Sequence, residues 1–353
     1  MKTIIVDMMG GDNAPAETVK GVCLAAEELN AKYVLVGDAE QLNAAAAETG
    51  CSLEGFEIVH ASTVITMEDE PSAVMKEKSD SSMSVALRLL AEGKGDALVS
   101  TGNTGALFTG ANLIVRKIKG IRRPAIGAIL PLGNPLLLLD SGANIDVTPE
   151  ILEQFAVVGA AYMRKMMGVE NPRVGLLNNG AESHKGTELY RTAHGLLAAN
   201  TQLNFVGNVE GNRTMFDACD VLVADGFTGN IFLKTAEGMG KMMIKTLKGL
   251  FYENLKSKLA ALMVMKGVKG IKKNFDATEY GGAPILGIAK PVIKAHGSSN
   301  AKAFKNAIRQ AIACAETDLN ADMAASLAAL AEQKKREKQE KEADLAAATA
   351  QEN

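Results

Sequence analysis

The chain has 353 residues, 47% hydrophobic and 22% charged, which suits a soluble globular protein with a large core in two lobes or one large α/β unit. A formal charge of −3, no tryptophan and 4% aromatic residues argue against a nucleic-acid partner. No apolar run reaches the roughly 18 residues of a membrane span, and MKTIIVDMMGG enters a strand without a signal peptide's apolar region, so a cytoplasmic protein is expected.

In chain order, Thr3–Val6 reads as a strand, and Pro15 suits the first turn of a helix reaching about Leu29. Tyr33–Val36 is a second strand, Ala39–Thr49 a helix and Phe56–Val59 a third strand. A polar stretch, 66–82, leads into a helix over Met83–Glu92. Ala97-Leu98-Val99 has the length and composition of a buried strand, and the turn STGNTG carries it into a helix ending near Lys117. Pro124–Leu130 and Leu136–Leu139 are strands joined by PLGNP; a helix begins at Pro149 and runs to about Met166. Arg173–Leu177 is a strand, followed by a helix to Ala199; Leu203–Val206 is a strand that leads to GNVEG. Val221–Ala224 precedes DGFTGN and a helix of about twenty residues, and Val292–Lys294 precedes AHGSSN and a helix to about Ala315. The lysine-rich tail from Ala331 lacks an apolar stripe and reads as a solvated helix or a disordered end. Cys23, Cys51, Cys219 and Cys314 are scattered without a CxxC pair, so each is expected to be a small buried apolar residue.

Strands alternating with helices predict a largely parallel sheet covered on both faces. MGGD, STGNTG, DSGAN, NNGAESHKG, DGFTGN and HGSSN all follow the carboxyl end of a strand, the edge where open α/β sheets bind ligands. Backbone amides and the positive end of a helix dipole at such turns suit phosphate; glycine and asparagine there also serve tight turning alone. The GxGxxG, P-loop, GxSxG and HExxH motifs are missing, and no Cys or Ser sits in a nucleophile setting. Chemistry by positioning and charge stabilisation is left.

The stretches DMMGGDNAP (7–15), LVGD (35–38), KSDSSMSVAL (78–87), STGNTGAL (100–107) and LLLDSGAN (137–144) resemble the PlsX family of acyl-carrier-protein:phosphate acyltransferases. So do ENPRVGLLN (170–178), GNVEG (207–211), DGFTGN (225–230), YGGAPILG (280–287) and VIKAHGSSNAKA (292–303), in order to about residue 310. The 178–186 loop departs from the family: Ala181, Glu182, Ser183 and His184 stand where an acidic run is usual, leaving Lys185-Gly186 as the dependable match.

The resemblance implies a two-lobed α/β/α sandwich similar to phosphotransacetylases and the isocitrate/isopropylmalate dehydrogenases, with one lobe over about 1–122 and 288–330 and the other over 123–287. It implies acyl transfer from acyl carrier protein to inorganic phosphate, a homodimer, no cofactor and no metal. Gly102, Asn103, Thr104 and Gly105 are candidate phosphate ligands, with Ser298, Ser299 and Asn300 at a second helix start. His296 is an acid/base, an oxyanion donor or a structural histidine; Lys185 and Lys294 neutralise phosphate or lie on the surface. Asp225, beside Asn230 and Lys234, is a base or a helix cap, and Asp7 and Asp12 suit turns. His60 and His194 read as structural.

A basic amphipathic arm over 250–275 (Leu255, Lys256, Lys258, Leu259, Leu262, Lys266) reads as a contact with the membrane, with the acidic carrier or with a second subunit. The membrane reading fits an insoluble acyl phosphate destined for a membrane glycerol-3-phosphate acyltransferase. A nicotinamide-dependent dehydrogenase of the same fold and a non-catalytic scaffold are the alternatives. The first lacks a nucleotide-binding loop and an acidic metal cluster as motifs, and the second needs no anion cleft.

Overall fold

The structure is a computed structural model and describes residues 1–132, 134–252, 257 and 281–351. The first half of the chain alternates strand and helix: β1 (Lys2–Asp7), α1 (Ala16–Glu28), β2 (Ala31–Gly37), α2 (Ala39–Thr49), β3 (Glu57–His60), α3 (Ser82–Ala91), β4 (Ala97–Ser100) and α4 (Thr104–Gly110). Three short strands follow, β5 (Ala125–Ile126), β6 (Ala128–Leu132) and β7 (Asn134–Leu139), then α5 (Pro149–Met167), β8 (Arg173–Asn178), α6 (Glu188–Ala199), β9 (Asn204–Glu210), β10 (Val221–Val223) and α7 (Gly226–Tyr252). The chain closes with β11 (Ala283–Leu286), β12 (Val292–Lys294), α8 (Ala301–Glu316) and α9 (Leu319–Gln351).

Local chemistry sets several of these boundaries. The Asp38 carboxylate accepts from the amides of Glu40 and Gln41 to start α2, and Ser81 does the same for Ser84 in α3. Gly168, at φ 68°, ends α5 in the left-handed conformation that a side chain disfavours.

Two sheets result, ordered β3-β2-β1-β4-β12-β11-β5 and β6-β7-β10-β8-β9. Pairing is parallel except where β11 meets β12 and β5, and where β6 meets β7. The central strands are continuous buried apolar runs, such as Leu136–Leu139 and Val221–Val223, as strands covered on both faces must be. Helix α5 lies on the second sheet with Phe155, Val158 and Tyr162 fully buried or nearly so, and the Tyr162 hydroxyl accepts from Gln310 Nε2 of α8 at 2.9 Å. That contact joins the two halves through one apolar core.

Several expectations are corrected. The strand expected over 124–130 is broken at Gly127: β5 pairs with β11 in the first sheet and β6 with β7 in the second. Strands β5 and β11 therefore both belong to the first sheet. The helix expected to reach Lys117 ends at Val115, its last turn widened to a π-helix. The strand expected to end at Val206 runs on through Glu210 and pairs with β8 beyond an irregularity near Val174. Helix α9 is docked over its first turns: Leu319, Met323, Leu327 and Leu330 are buried, and Lys334 pairs at 3.0 Å with Glu153, a carboxylate only 1% exposed on α5. Cys219 and Cys314 are buried, but Cys23 and Cys51 are half-buried neighbours whose thiols donate to the Ser52 and Thr49 carbonyls. Burial, with that neighbour, pushes the Cys23 thiol up to about 12.

Helix α7 approaches the 140–144 loop so closely that a Cβ on Gly229 would stand 1.9 Å from the Asp140 carbonyl oxygen, whereas Gly195 in α6 faces open space. Gly229→Ala is expected to lower stability by about 3 kcal/mol or more; Gly195→Ala is expected to raise it by about 1 kcal/mol through helix propensity. Denaturant unfolding of the two variants measures the contrast.

Candidate active site

Strands β1, β4 and β12 are neighbours, and their register sets Asp7, Ser100 and Lys294 side by side at their carboxyl ends. Asp7 is fully buried; its Oδ1 accepts from Ser82 Oγ at 2.7 Å and its Oδ2 from Ser100 Oγ at 2.6 Å. Burial nevertheless raises its pKa, because the two hydroxyls offset only part of the lost solvation. Lys294, 7% exposed, donates from Nζ to the carbonyls of Thr101, at 3.1 Å, and Ala295. Burial pulls its pKa down to about 8, against the opposing pull of Asp7 and Asp12.

The loops beyond these strands are stitched into one surface. A Cβ on Gly10 would lie 2.6 Å from Gly102, and Gly11, at φ 95°, packs on Thr101. The Asp12 amide donates to the Gly297 carbonyl at 2.9 Å. Asn103 caps α4, its Oδ1 accepting from the Ala106 amide at 3.0 Å, while its Nδ2 donates to the carbonyls of Thr66 and Asp69 at 3.1 and 3.0 Å. Gly102 packs under Met83 and Gly105 under Pro71, and Thr104 is exposed. At the other helix start, Asn300 Oδ1 accepts from the Ala303 amide at 2.9 Å, and Glu17 of α1 accepts from the Ala301 amide at 2.7 Å.

His296 is exposed on this edge. Its Nδ1 accepts from the Ser298 amide at 3.2 Å and pairs with Ser298 Oγ at 2.9 Å. Burial of part of the ring, then the nearby Lys294 and Lys234 charges, holds its pKa below 6.5, so at neutral pH the ring is uncharged with its proton on Nε2. Lys234 belongs to α7, so the second half of the molecule reaches this imidazole.

In the second sheet β7, β10 and β8 are adjacent; Asn178 ends β8, and Asp140 and Asp225 lie one and two residues beyond the ends of β7 and β10. Asp140 folds its own loop, accepting from the amides of Ile126, Ala143 and Asn144 and from Asn144 Nδ2. Asp225 is buried: Oδ1 accepts from the Thr228 amide at 2.9 Å, and Oδ2 from Thr228 Oγ1 at 2.7 Å and from the Tyr190 hydroxyl. Asn230 is exposed beside Gly142. Lys185 lays its alkyl stem over Gly180 and forms no ion pair with a described residue. Helix α6 begins after Thr187 with no side chain on its first amides. Its start opens on a cleft of about 750 Å³ between Leu177, Asn179 and Thr187 on one wall and Ile231, Phe232 and Thr235 of α7 on the other.

A family described as "Fatty acid synthesis protein" matches residues 2–322. A protein named phosphate acyltransferase from Thermoanaerobacterium thermosaccharolyticum is 47% identical over 317 residues, covering 90% of this chain and 94% of that one. Its namesake from Acetivibrio thermocellus is 48% identical, over 89% and 93%. The chain belongs to the phosphate acyltransferase family. It is an acyltransferase of fatty acid and phospholipid synthesis. In fold it is similar to a phosphotransacetylase from Streptococcus pyogenes (TM-score 0.62, 18% identity, 89% of this chain and 94% of that one). It is also similar to a 4-hydroxythreonine-4-phosphate dehydrogenase from Klebsiella pneumoniae (0.55, 14%, 89% and 100%).

For an acyltransferase, the geometry redistributes the candidate residues. Asn103 and Asn300 cap helices, Asp225 caps α7, and Lys294 braces loop carbonyls. His296 and Lys185 keep polar groups facing outward, and Ser298 orients His296. Ser299 donates its amide to the His296 carbonyl at 3.0 Å. The arm residues Leu255, Lys256, Lys258, Leu259, Leu262 and Lys266 lie outside the described residues. Sequence reasoning missed Glu17, Tyr190 and the cleft wall on α7. The last carried a signal, since Thr228, Ile231, Phe232 and Thr235 recur at helical spacing just after DGFTGN.

The lowered Lys294 pKa has a consequence for stability. Between about 8 and the 10.5 of an unburied lysine, the unfolded chain binds this proton and the folded chain does not, so this group's contribution to stability rises with pH across that window. The thermal midpoint of the wild type relative to Lys294→Met is expected to climb from pH 8 to pH 10 and to stay level from pH 6 to pH 7. Paired melts across that range test it.

Proposed function

We propose that the chain transfers a fatty acyl group from acyl carrier protein to inorganic phosphate, giving acyl phosphate and free carrier, by direct attack of bound phosphate on the thioester. One observation carries the assignment of the phosphate. Site residues fall at four helix starts, and at three of them protein side chains already occupy leading amides: Asn103 on α4, Asp225 on α7, Asn300 and Glu17 on α8. Among the described residues no side chain takes the amides at the start of α6 and none forms an ion pair with Lys185, two residues before Thr187, with the cleft in front. Amide donors, a helix dipole and an ammonium are what a phosphate dianion requires.

Phosphate is a competent nucleophile near neutral pH once its other oxygens are held and partly desolvated. Attack by its free oxygen on the thioester carbonyl forms the C–O bond of the acyl phosphate and breaks the C–S bond. The hydrogen phosphate's proton ends on the carrier thiol, which balances the reaction. His296, uncharged and protonated on Nε2, donates to the oxygen that gains charge in the tetrahedral transition state. Asp225 holds Tyr190 and the first turn of α7 in place. Gly102–Gly105 and Lys294 pack and brace the loops that carry His296.

The reading includes a homodimer and a peripheral membrane contact for delivery of the apolar product to a membrane glycerol-3-phosphate acyltransferase. It is supported by the outer half of α7, where Met239, Met242, Met243, Leu247 and Leu250 are exposed. Among the described residues no helix is long and apolar enough to cross a membrane.

Thiol release from palmitoyl carrier protein is expected to require phosphate and to yield a hydroxylamine-sensitive acyl product. Lys185→Ala is expected to raise the KM for phosphate at least tenfold with an unchanged melting temperature, and His296→Ala to lower kcat by about 100-fold. Release without phosphate, or an unaltered phosphate KM in Lys185→Ala, contradicts the reading.

A further inference from the structure

The cleft beside α6 has a composition that neither phosphate nor a hydrocarbon accounts for. Along one face of α7 polar and apolar groups alternate: Thr228, then Ile231 and Phe232, then Thr235, with the two hydroxyl-bearing residues about 10 Å apart by helical rise. Thr228 is held by Asp225. Thr235 and, on the opposite wall, Asn179 are exposed and make no side-chain hydrogen bond to a described residue. Leu177 supplies further apolar surface between the walls.

We propose that this groove takes the pantetheine-type arm of the thioester donor, a chain carrying two amides separated and flanked by short apolar segments, and that the acyl chain lies elsewhere. The assignment rests on the transfer reading above. A hydrocarbon laid here would strip water from the Asn179 amide and the Thr235 hydroxyl and return no hydrogen bond. An amide-bearing arm satisfies both, as donor to one carbonyl and acceptor for one N–H, while its ethylene and gem-dimethyl segments cover Leu177, Ile231 and Phe232. A volume of about 750 Å³ suits a ligand of this size. With the arm along α7, its sulfur end reaches the open start of α6, where the thioester carbonyl meets the proposed phosphate. Asn179 and Thr235 are then specificity-determining residues for the carrier side of the substrate.

Two measurements test the groove. In the first, phosphate-dependent thiol release is compared for S-palmitoyl pantetheine and for S-palmitoyl 2-mercaptoethanol, which lacks both amides. The wild type is expected to prefer the pantetheine ester in kcat/KM, and Asn179→Ala/Thr235→Val to reduce that preference at least tenfold; both residues are exposed, so the variant keeps its melting temperature. In the second, free pantetheine is titrated calorimetrically without phosphate or acyl donor, and the same variant is expected to bind it at least tenfold more weakly. An unchanged preference together with unchanged pantetheine affinity overturns the proposal, as does an equal loss on both esters with unchanged affinity. Pantetheine binding that the variant weakens, in a protein that releases no thiol from any ester, overturns the transfer reading and leaves the groove assigned. Turnover of both esters with equal efficiency by the wild type, with no pantetheine binding at millimolar concentration, overturns the groove and leaves the transfer.

Discussion

A carboxylate and an ammonium, buried on either side of Ser100 at the ends of three adjacent parallel strands, organise the first half of the molecule. Asp7 and Lys294 are each buried, and a charge is costly to bury without hydrogen-bonding partners. Asp7 is held by Ser82 and Ser100, and Lys294 by two loop carbonyls. Removing the hydroxyls or the carbonyls would leave a buried charge unsatisfied, which ties the loops after β1, β4 and β12 to one arrangement. That rigid wall carries His296, whose ring is oriented by Ser298 and kept uncharged by partial burial and by Lys294.

The second half reaches the same edge by a different device. Asp140 and Asp225 follow neighbouring strands and fold the loops there, and the close packing of Gly226 and Gly229 lets α7 start directly on the 140–144 loop. Helix α7 then passes in front of the β8–α6 loop and forms the cleft with it. Of the four helix starts that carry candidate site residues, three are closed by the protein's own side chains, and that of α6 has no side-chain partner among the described residues.

Much of this arrangement is written locally in the chain. Buried runs such as Leu136–Leu139, and polar glycine loops after each strand, identify a largely parallel α/β fold and the edge that carries the site. The break at Gly127 is not legible, because only the choice of partner strand, β11 or β7, separates β5 from β6. Nor is the setting of Asn103 legible, since asparagine before a helix suits capping and ligand binding equally, and its bonds to the Thr66 and Asp69 carbonyls span more than thirty residues. The decisive contacts are long-range: Glu17 to Ala301, Tyr190 to Asp225, Lys334 to Glu153. The loop at 178–186 was marked by Lys185-Gly186, yet its importance as the open helix start appears only when the other three are seen to be capped.

The central claim is that phosphate lies at the start of α6, and amide hydrogen exchange reads it directly. Adding inorganic phosphate to the full-length protein is expected to slow exchange in the peptide spanning Gly186–Tyr190 and to leave Thr104–Ala106 and Ala301–Ala303 unchanged. Protection at either of those two capped helix starts, with none at Gly186–Tyr190, would contradict the account.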